Sequence, residues 1–311
     1  MPDSYDEWPQ ELRSSLEELF RAGPPLTETQ QIGRTPVIAA LAERLRSGEI
    51  KKLFEPRRVG KTTVARGALS RFRALGGVEA EVNLAIYRKP EEVASELASR
   101  LAAGMTAPAA ARVALRRLTG ALSPARGEVG DDAGAILELA EQLLGDGSSP
   151  ARVLLNAQHH ARKKLAVFLD EAHVISDWAQ DEQEGLGAAL RSLGSLGVII
   201  ASSERRALES LSAEGGPLQF VGDRYTLPSI ADADWRAELP RRFARLGVPI
   251  TTPALDMLLR ASGGQPYCTM MLARESAIAA IGAGGADRCS DAHVQVGLLV
   301  ATRDEAWDEL T

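Results

Sequence analysis

The sequence contains few aromatic residues and only two cysteines. Aromatic residues make up 5% of its 311 residues, and the apolar content of 45% depends mainly on Ala and Leu, a composition that favours helices. Cys268 and Cys289 do not form a Cys-x-x-Cys pair, and no metal-ligand spacing surrounds His159 and His160. These features disfavour a disulfide framework and a zinc site, and they fit a reducing compartment.

Long hydrophobic runs are absent as well. No apolar run approaches the roughly 18 residues that a membrane span needs. The longest runs, at 165–169 and 198–201, have the length of buried strands. The first residues are acidic and lack the apolar segment of a secretory signal. We therefore expect a soluble cytoplasmic protein without a membrane partner.

The charge balance has no positive excess. The chain carries 36 Lys and Arg against 42 Asp and Glu, a formal net charge of −6. Because DNA affinity comes from neutralising phosphates, binding of DNA by the whole surface is disfavoured, although a local basic patch remains open. The length corresponds to about two domains.

The order of apolar patterns predicts a parallel α/β domain followed by helices. Strands are predicted at 49–54, 79–86, 165–169, 196–202 and 224–227. Helices are predicted at 5–22, 36–47, 61–75, through most of 90–163, and at 231–246, 252–262, 265–281 and 290–303. The predicted domains are a helical arm (1–30), an α/β domain (31–228) with a helical insert (about 90–163), and a helical lid domain (229–311).

The most informative segment lies between the first predicted strand and the helix that follows it. Residues 54–63 read F-E-P-R-R-V-G-K-T-T, which fits the end of the phosphate-loop pattern G-x-x-x-x-G-K-S/T. In such loops backbone N–H groups bind phosphate, the lysine reaches the terminal phosphates, and the hydroxyl binds Mg²⁺. The predicted nucleotide-binding residues are Arg58, Val59, Gly60, Lys61, Thr62 and Thr63. The alternatives are a chance Gly-Lys-Thr at a helix start and a loop that has lost its nucleotide.

One position of this loop departs from the pattern. Glu55 stands where the first glycine belongs. Its Cβ restricts the turn and its carboxylate is placed near a polyphosphate, so the substitution predicts weakened binding. Glu55 could instead turn outward and pair with Arg57 or Arg58.

Two later strand ends carry candidate catalytic residues. The apolar strand 165–169 is followed by Asp170 and Glu171. We predict that Asp170 holds Mg²⁺ with Thr62 and that Glu171 polarises the attacking water. The alternative is a buried strand that enters a solvated helix cap.

The strand at 196–202 ends in two hydroxyls followed by two arginines. Ser202 is the first choice for contacting the water or the terminal phosphate, with Ser203 second, and Arg205 or Arg206 could reach that phosphate. Serines also end strands without a function, and arginines more often form a solvated face.

Taken together, these segments resemble the prokaryotic archaeal ATPase group within the STAND branch of AAA+-related NTPases. The resemblance covers about residues 30–285. It is carried by residues 54–63, Ile32-Gly33-Arg34, Leu169-Asp170-Glu171-Ala172-His173, Leu227-Pro228 and Gly263-Gly264-Gln265-Pro266-Tyr267.

The resemblance implies a five-stranded parallel sheet in the order 5-1-4-3-2 with a helical lid. It implies ATP and Mg²⁺ as cofactors, with Ile32, Gly33 and Arg34 near the adenine and Pro266 against the base. It also implies a slow, switch-like turnover and ATP-dependent oligomers in which a neighbouring arginine completes the site. Candidates for that arginine are Arg241, Arg242 and Arg245.

The sequence departs from this group at Glu55, at Gln265 where His is frequent, and in ending soon after the lid, so a partner protein is expected to supply sensing or effector work.

We therefore predict an ATP-binding and ATP-hydrolysing switch that acts through a partner protein or an oligomer. Two alternatives stay open: a nucleotide-impaired adaptor protein, and a DNA-associated AAA+ ATPase regulator. The basic residues of the insert are either a solvated face or a surface for a partner or nucleic acid. They are Arg112, Arg116, Arg117, Arg126, Arg152, Arg162, Lys163 and Lys164.

Overall fold

A computed structural model describes residues 5, 8–22, 31–106, 131–147, 149–283, 287–304 and 307. The strands are β1 (Ile50–Leu53), β2 (Val78–Asn83), β3 (Leu165–Asp170), β4 (Leu196–Ala201) and β5 (Asp223–Arg224). The helices are α1 (Gln10–Leu19), α2 (Thr35–Arg46), α3 (Lys61–Ala74), α4 (Pro90–Thr106), α5 (Asp131–Leu144), α6 (Pro150–His160), α7 (Gln180–Ser192), α8 (Arg205–Ser212), α9 (Asp232–Arg245), α10 (Thr252–Ser262), α11 (Pro266–Gly282) and α12 (Asp291–Ala301), with a 3-10 helix at Ala172–Asp177.

The five strands form one parallel sheet in the order β2-β3-β4-β1-β5. This confirms the predicted order, read from the other edge. The carboxyl ends of neighbouring strands meet at one edge, where Asn83 lies opposite Asp170 and Leu53 lies opposite Ala201. The fifth strand is shorter and earlier than the predicted 224–227, because its pairing with β1 comprises only Asp223 and Arg224.

The chain divides into two compact units. One comprises Ile38–Glu55 and Val64–Thr226 and contains the sheet; the other comprises Met1–Val37, Pro56–Thr63 and Leu227–Thr311. The phosphate-loop segment therefore belongs by its contacts to the unit of the C-terminal helices. The domain limits predicted at residues 30 and 228 stay predictions.

The core of the sheet unit explains why two strands are apolar without alternation. Every residue of β3 and β4 is buried, as expected for parallel strands that are covered on both faces. At Gly197 an added Cβ would lie 2.4 Å from the carbonyl oxygen of Leu45 in α2. Glycine therefore allows the end of α2 to approach β4 closely.

Helices cover the described part of the predicted insert. α4, α5 and α6 lie within residues 90–163, and α4 buries Val93, Leu97 and Leu101 in the core that also contains the sheet. The basic residues Arg112, Arg116, Arg117 and Arg126 lie outside the described residues. None of the helices that the structure describes is long and apolar enough to cross a membrane.

The helical unit has its own core, which includes the N-terminal helix. Leu16 and Phe20 are fully buried there, and the ring of Phe20 lies 4.9 Å from that of Phe243 in α9. The buried guanidinium of Arg242 donates a hydrogen bond of 2.6 Å to the carbonyl of Leu19. Thus α1 packs as an integral helix of this unit.

Candidate functional site

The loop between β1 and α3 has alternating backbone conformations. Arg58 and Gly60 have φ values of 66° and 94°, in the left-handed region, whereas Val59 between them does not. Alternation of this kind directs successive N–H groups into one concavity that binds anions. Gly60 has no Cβ penalty in this conformation, but Arg58 does.

Lys61 begins α3 and closes this loop. Its side chain is 7% exposed, and Nζ donates a hydrogen bond of 2.6 Å to the carbonyl of Pro56. Thr62 and Thr63 follow in the first helical turn. The loop therefore combines backbone donors, a helix N-terminus and a buried ammonium, an arrangement that suits a phosphate chain.

Arg34 fixes the loop from within the same unit. Its buried guanidinium donates to the carbonyls of Pro228 and, at 3.1 Å, Val59. The preceding Gly33 has φ 63°, and a Cβ there would lie 2.6 Å from Oδ2 of Asp234. Arg34 therefore connects the loop to the residues that precede the C-terminal helices.

A mainly apolar cavity of about 90 Å³ adjoins the loop, entirely within this unit. Of the predicted residues, Ile32, Arg34, Arg58, Val59, Gly60, Thr63 and Pro266 line it, whereas Gly33, Lys61 and Thr62 do not. The wall also includes Ile230, Trp235, Tyr267 and Met270. Apolar side chains beside backbone donors match the chemistry of a heterocyclic base with its phosphates, and the cavity is smaller than the roughly 300–1,000 Å³ of typical ligand pockets.

The sequence did not single out the aromatic side chains of this wall. The indole of Trp235 donates a hydrogen bond of 3.1 Å to the carbonyl of Gly264, and no motif marks that position. Tyr267 belongs to the Gly-Gly-Gln-Pro-Tyr segment, in which the resemblance implies a role for Pro266 alone. Burial raises the pKa of the Tyr267 hydroxyl, and its hydrogen bond to Asp304 raises it further.

In the sheet unit, the candidate catalytic carboxylates lie at the carboxyl end of β3. Asp170 is 5% exposed, and its Oδ1 accepts a hydrogen bond of 3.0 Å from the N–H of Glu171. Glu171 has φ 54° and breaks the strand direction at once. The carboxylates of Asp170, at the end of β3, and of Glu171, the next residue, therefore have different surroundings.

Ser203 contacts Glu171 directly. Oε2 of Glu171 accepts hydrogen bonds from the N–H of Ser203 at 3.0 Å and from its Oγ at 2.6 Å. Ser202, the first choice from the sequence, is fully buried, and its Oγ accepts from the N–H of Glu204 at 2.9 Å. Ser203, the second choice from the sequence, thus contacts the candidate base Glu171, whereas Ser202 forms a hydrogen bond within the turn before α8.

His173 completes this cluster and was missed as a site residue. Its Nδ1 lies 3.3 Å from Oε2 of Glu171 and 3.2 Å from Oγ of Ser202, and its Nε2 lies 3.6 Å from Oε1 of Glu204. Its position two residues after Glu171 was the available signal. The imidazole therefore lies between two carboxylates.

The candidate arginines differ in their freedom to reach a nucleotide. Arg205 donates to Glu209 at 2.8 Å within α8, and Arg206 is exposed. Arg242 is buried and bound to Leu19 and Glu238, so the suggestion that it reaches a neighbouring subunit is wrong. The side chains of Arg241 and Arg245 are 77% and 64% exposed.

The two residues predicted to hold Mg²⁺ both carry oxygen ligands. No group of three or more His, Cys, Asp or Glu side chains suited to a metal occurs among the described residues. Mg²⁺ is usually held by one or two protein oxygens together with phosphate and water, so an all-protein cage is not required. A hydroxyl, as in Thr62, and a carboxylate, as in Asp170, are each oxygen ligands of the type that Mg²⁺ prefers.

No protein-family model matches the chain, and no curated protein matches it in sequence. Solved structures do match. The Walker-type ATPase of Pyrococcus abyssi is 16% identical, with a TM-score of 0.61 over 94% of this chain and 78% of that one. The ORC1 protein of Aeropyrum pernix in complex with DNA is 19% identical, with a TM-score of 0.53 over 90% and 67%. Cdc6p of Pyrobaculum aerophilum is 15% identical, with a TM-score of 0.51 over 88% and 68%.

These similarities concern the fold. With sequence identities of 15–19%, the likeness does not carry substrates or partners from those proteins to this chain. The observed strand order agrees with the predicted order, and the loop follows the first strand as predicted. The chain therefore shares the fold of these proteins, a five-stranded parallel sheet in the order β2-β3-β4-β1-β5 with helices around it.

Proposed function

We propose that this chain binds ATP with Mg²⁺ and hydrolyses it, as a molecular switch of the AAA+/STAND type that acts through a partner protein or its own oligomer. The observation that carries the proposal is the loop at 56–63. Its left-handed Arg58 and Gly60 and the buried Lys61 adjoin an apolar cavity. The loop offers donors for the phosphate chain, and the cavity offers apolar side chains for the base, both within one unit.

For binding, we assign the phosphates to the loop and the base to the cavity. Lys61 would exchange the carbonyl of Pro56 for phosphate oxygens, so the ammonium stays hydrogen-bonded throughout. Thr62 and Asp170 would be the Mg²⁺ ligands. The ion, when bound, supplies positive charge that neutralises the phosphates.

For hydrolysis, we assign the general base to Glu171. Two hydrogen bonds from Ser203 hold Oε2 of Glu171 in place, and a carboxylate held in this way can accept a proton from water. Ser203 and His173 would position the carboxylate. Arg205 stays a candidate for the terminal phosphate, after release from Glu209.

The nucleotide-impaired adaptor remains the second candidate because of Glu55. The left-handed residues of the described chain other than glycine are Arg58, Glu171 and Phe220, and Glu55 is not among them. The expected backbone penalty of a Cβ at this position is therefore wrong, since the conformation is open to any residue. Only the charge of Glu55 argues against nucleotide binding.

Titration calorimetry with ATP and Mg²⁺ tests the main proposal. Lys61→Ala removes the ammonium and is expected to weaken ATP binding at least a hundredfold, because charge-assisted contacts to phosphate are lost. The matched control is Lys163→Ala, which removes an exposed lysine elsewhere. Equal affinity in the parent and Lys61→Ala would remove the assignment, and an absence of binding in the parent would favour the adaptor.

A further inference from the structure

Arg58 occupies a backbone conformation that is costly for its residue type. A left-handed φ of 66° brings its Cβ near the following carbonyl oxygen, and arginine has no local polar group that offsets this. A strained backbone conformation of this kind persists only where contacts with the surrounding residues hold it in place. The surroundings of Arg58 therefore reveal what holds the loop.

Three side chains of the same unit contact Arg58. Gln265 donates a hydrogen bond of 3.2 Å from Nε2 to the Arg58 carbonyl. The Arg58 guanidinium lies over the Tyr267 ring at 4.2 Å and pairs with Oδ1 of Asp304 at 3.0 Å. The Tyr267 hydroxyl donates to Oδ2 of Asp304 at 3.0 Å, which closes the set. We call Arg58, Tyr267 and Asp304 the Arg58 clasp.

We propose that Tyr267 and Asp304 are positioning residues that act through Arg58 to keep the phosphate loop in its binding conformation. This inference rests on the proposed function, because the loop is assigned to ATP phosphates there. It deepens that function by naming residues far along the chain that set nucleotide affinity without contacting the phosphates.

The connected geometry distinguishes the clasp from an ordinary surface ion pair. The side chains of Arg58 and Asp304 are 39% and 34% exposed, and an isolated pair at such a site contributes little. Here one carboxylate uses both oxygens, and the guanidinium also stacks on an aromatic face. The three groups fix one another, so the side chain of Arg58 is held and its backbone with it.

The first test compares two aspartates of equal exposure. Asp304→Asn removes the charge that holds Arg58 and is expected to weaken ATP binding by about fivefold to tenfold in calorimetry with Mg²⁺. The matched control is Asp256→Asn, because Asp256 pairs with Arg236 at 2.5 Å and is also 34% exposed, in the same unit. The control is expected to bind ATP as the parent does.

The second test separates positioning from general stability. Glycine adopts left-handed φ without a Cβ penalty, so Arg58→Gly does not need the clasp. Because Arg58 also lines the cavity, the ATP affinity of Arg58→Gly itself is the reference for this background. We expect Asp304→Asn to have no further effect in that variant. A loss caused by general destabilisation would persist in the Arg58→Gly background.

Three results would overturn the clasp. Asp304→Asn could bind ATP as the parent does, both aspartate variants could lose affinity equally, or Asp304→Asn could lower the affinity of Arg58→Gly as much as it lowers that of the parent. Any of these with Lys61→Ala still abolishing binding leaves the proposed function standing. If Lys61→Ala has no effect, or the parent binds no ATP, the proposed function fails together with the clasp.

Discussion

Glu171 is the residue on which turnover depends in this proposal. Glu171→Gln keeps the size of the side chain but cannot accept a proton, so ATP binding is expected to persist while phosphate release falls at least a hundredfold. The control is Glu204→Gln, since Glu204 lies on the other side of His173 and its side chain is 55% exposed. Phosphate release at the parent rate in Glu171→Gln would show that the base lies elsewhere.

The two serines after β4 give opposite expectations. Ser203→Ala removes a 2.6 Å hydrogen bond to Glu171 and is expected to lower turnover about tenfold with unchanged stability. Ser202→Ala removes the hydrogen bond that its Oγ accepts from the part-buried N–H of Glu204, and it is expected to cost about 1 kcal/mol of stability. Thermal unfolding and phosphate release on both variants separate the roles. Reversed results would return Ser202 to the site.

Substitutions of Glu55 test whether its charge weakens ATP binding, as the nucleotide-impaired adaptor requires. Because its backbone is not left-handed, Glu55→Gln and Glu55→Gly are expected to strengthen ATP binding equally, by about 1 kcal/mol or roughly fivefold. Calorimetry on both, with Glu214→Gln as an exposed control, makes the comparison. A much larger gain in the glycine variant would restore the backbone argument.

At the scale of elements, β4 accepts α2 only because residue 197 is glycine. A Cβ there would meet three backbone atoms of Leu45 within 2.9 Å, and backbone cannot move aside as a side chain can. Gly197→Ala is expected to cost about 1–3 kcal/mol in the free energy of unfolding. Denaturant unfolding measures this cost.

Gly185 in α7 provides the matched control for that variant. Its Cβ would meet nothing within 4 Å, so Gly185→Ala is expected to be neutral or to stabilise the protein by up to about 1 kcal/mol. A neutral Gly197→Ala would mean that α2 shifts easily on the sheet.

Elements with strong periodicity were predictable from the sequence, and the short edge strand was not. The patterns at 252–262 and 165–169 agree with α10 and β3 to within one residue at each end, because both bury a regular set of apolar side chains. β5 has two exposed residues and no apolar pattern. Its pairing with β1 depends on neighbours that the local sequence does not encode.

Some residues of the candidate site could likewise be predicted from the sequence, and others could not. Lys61 and Glu171 follow from local motifs whose chemistry requires these residue types. The contact of Arg58 with Asp304 joins residues 246 positions apart, and the choice between Ser202 and Ser203 depends on the turn after β4. Neither arrangement leaves a pattern in a short window of sequence.

At the scale of the whole molecule, the proposed switch predicts association. If an arginine of a neighbouring subunit completes the site, ATP turnover per subunit rises with protein concentration. Arg241→Ala is then expected to lower that turnover about a hundredfold without changing ATP affinity, since the side chain is 77% exposed. Phosphate release across a concentration series, with light scattering in ATP, measures both. Turnover independent of concentration would contradict a shared site.

The membership of residues 56–63 in the C-terminal helical unit has a consequence for synthesis. A nascent chain that ends before Leu227 already contains all five strands. It still lacks the Pro228 carbonyl that receives Arg34, the Gln265 amide that contacts Arg58, and Asp304. The loop is thus translated early and supported late, so under the proposed function a nascent chain is expected to capture ATP only after residues 228–304 have been made.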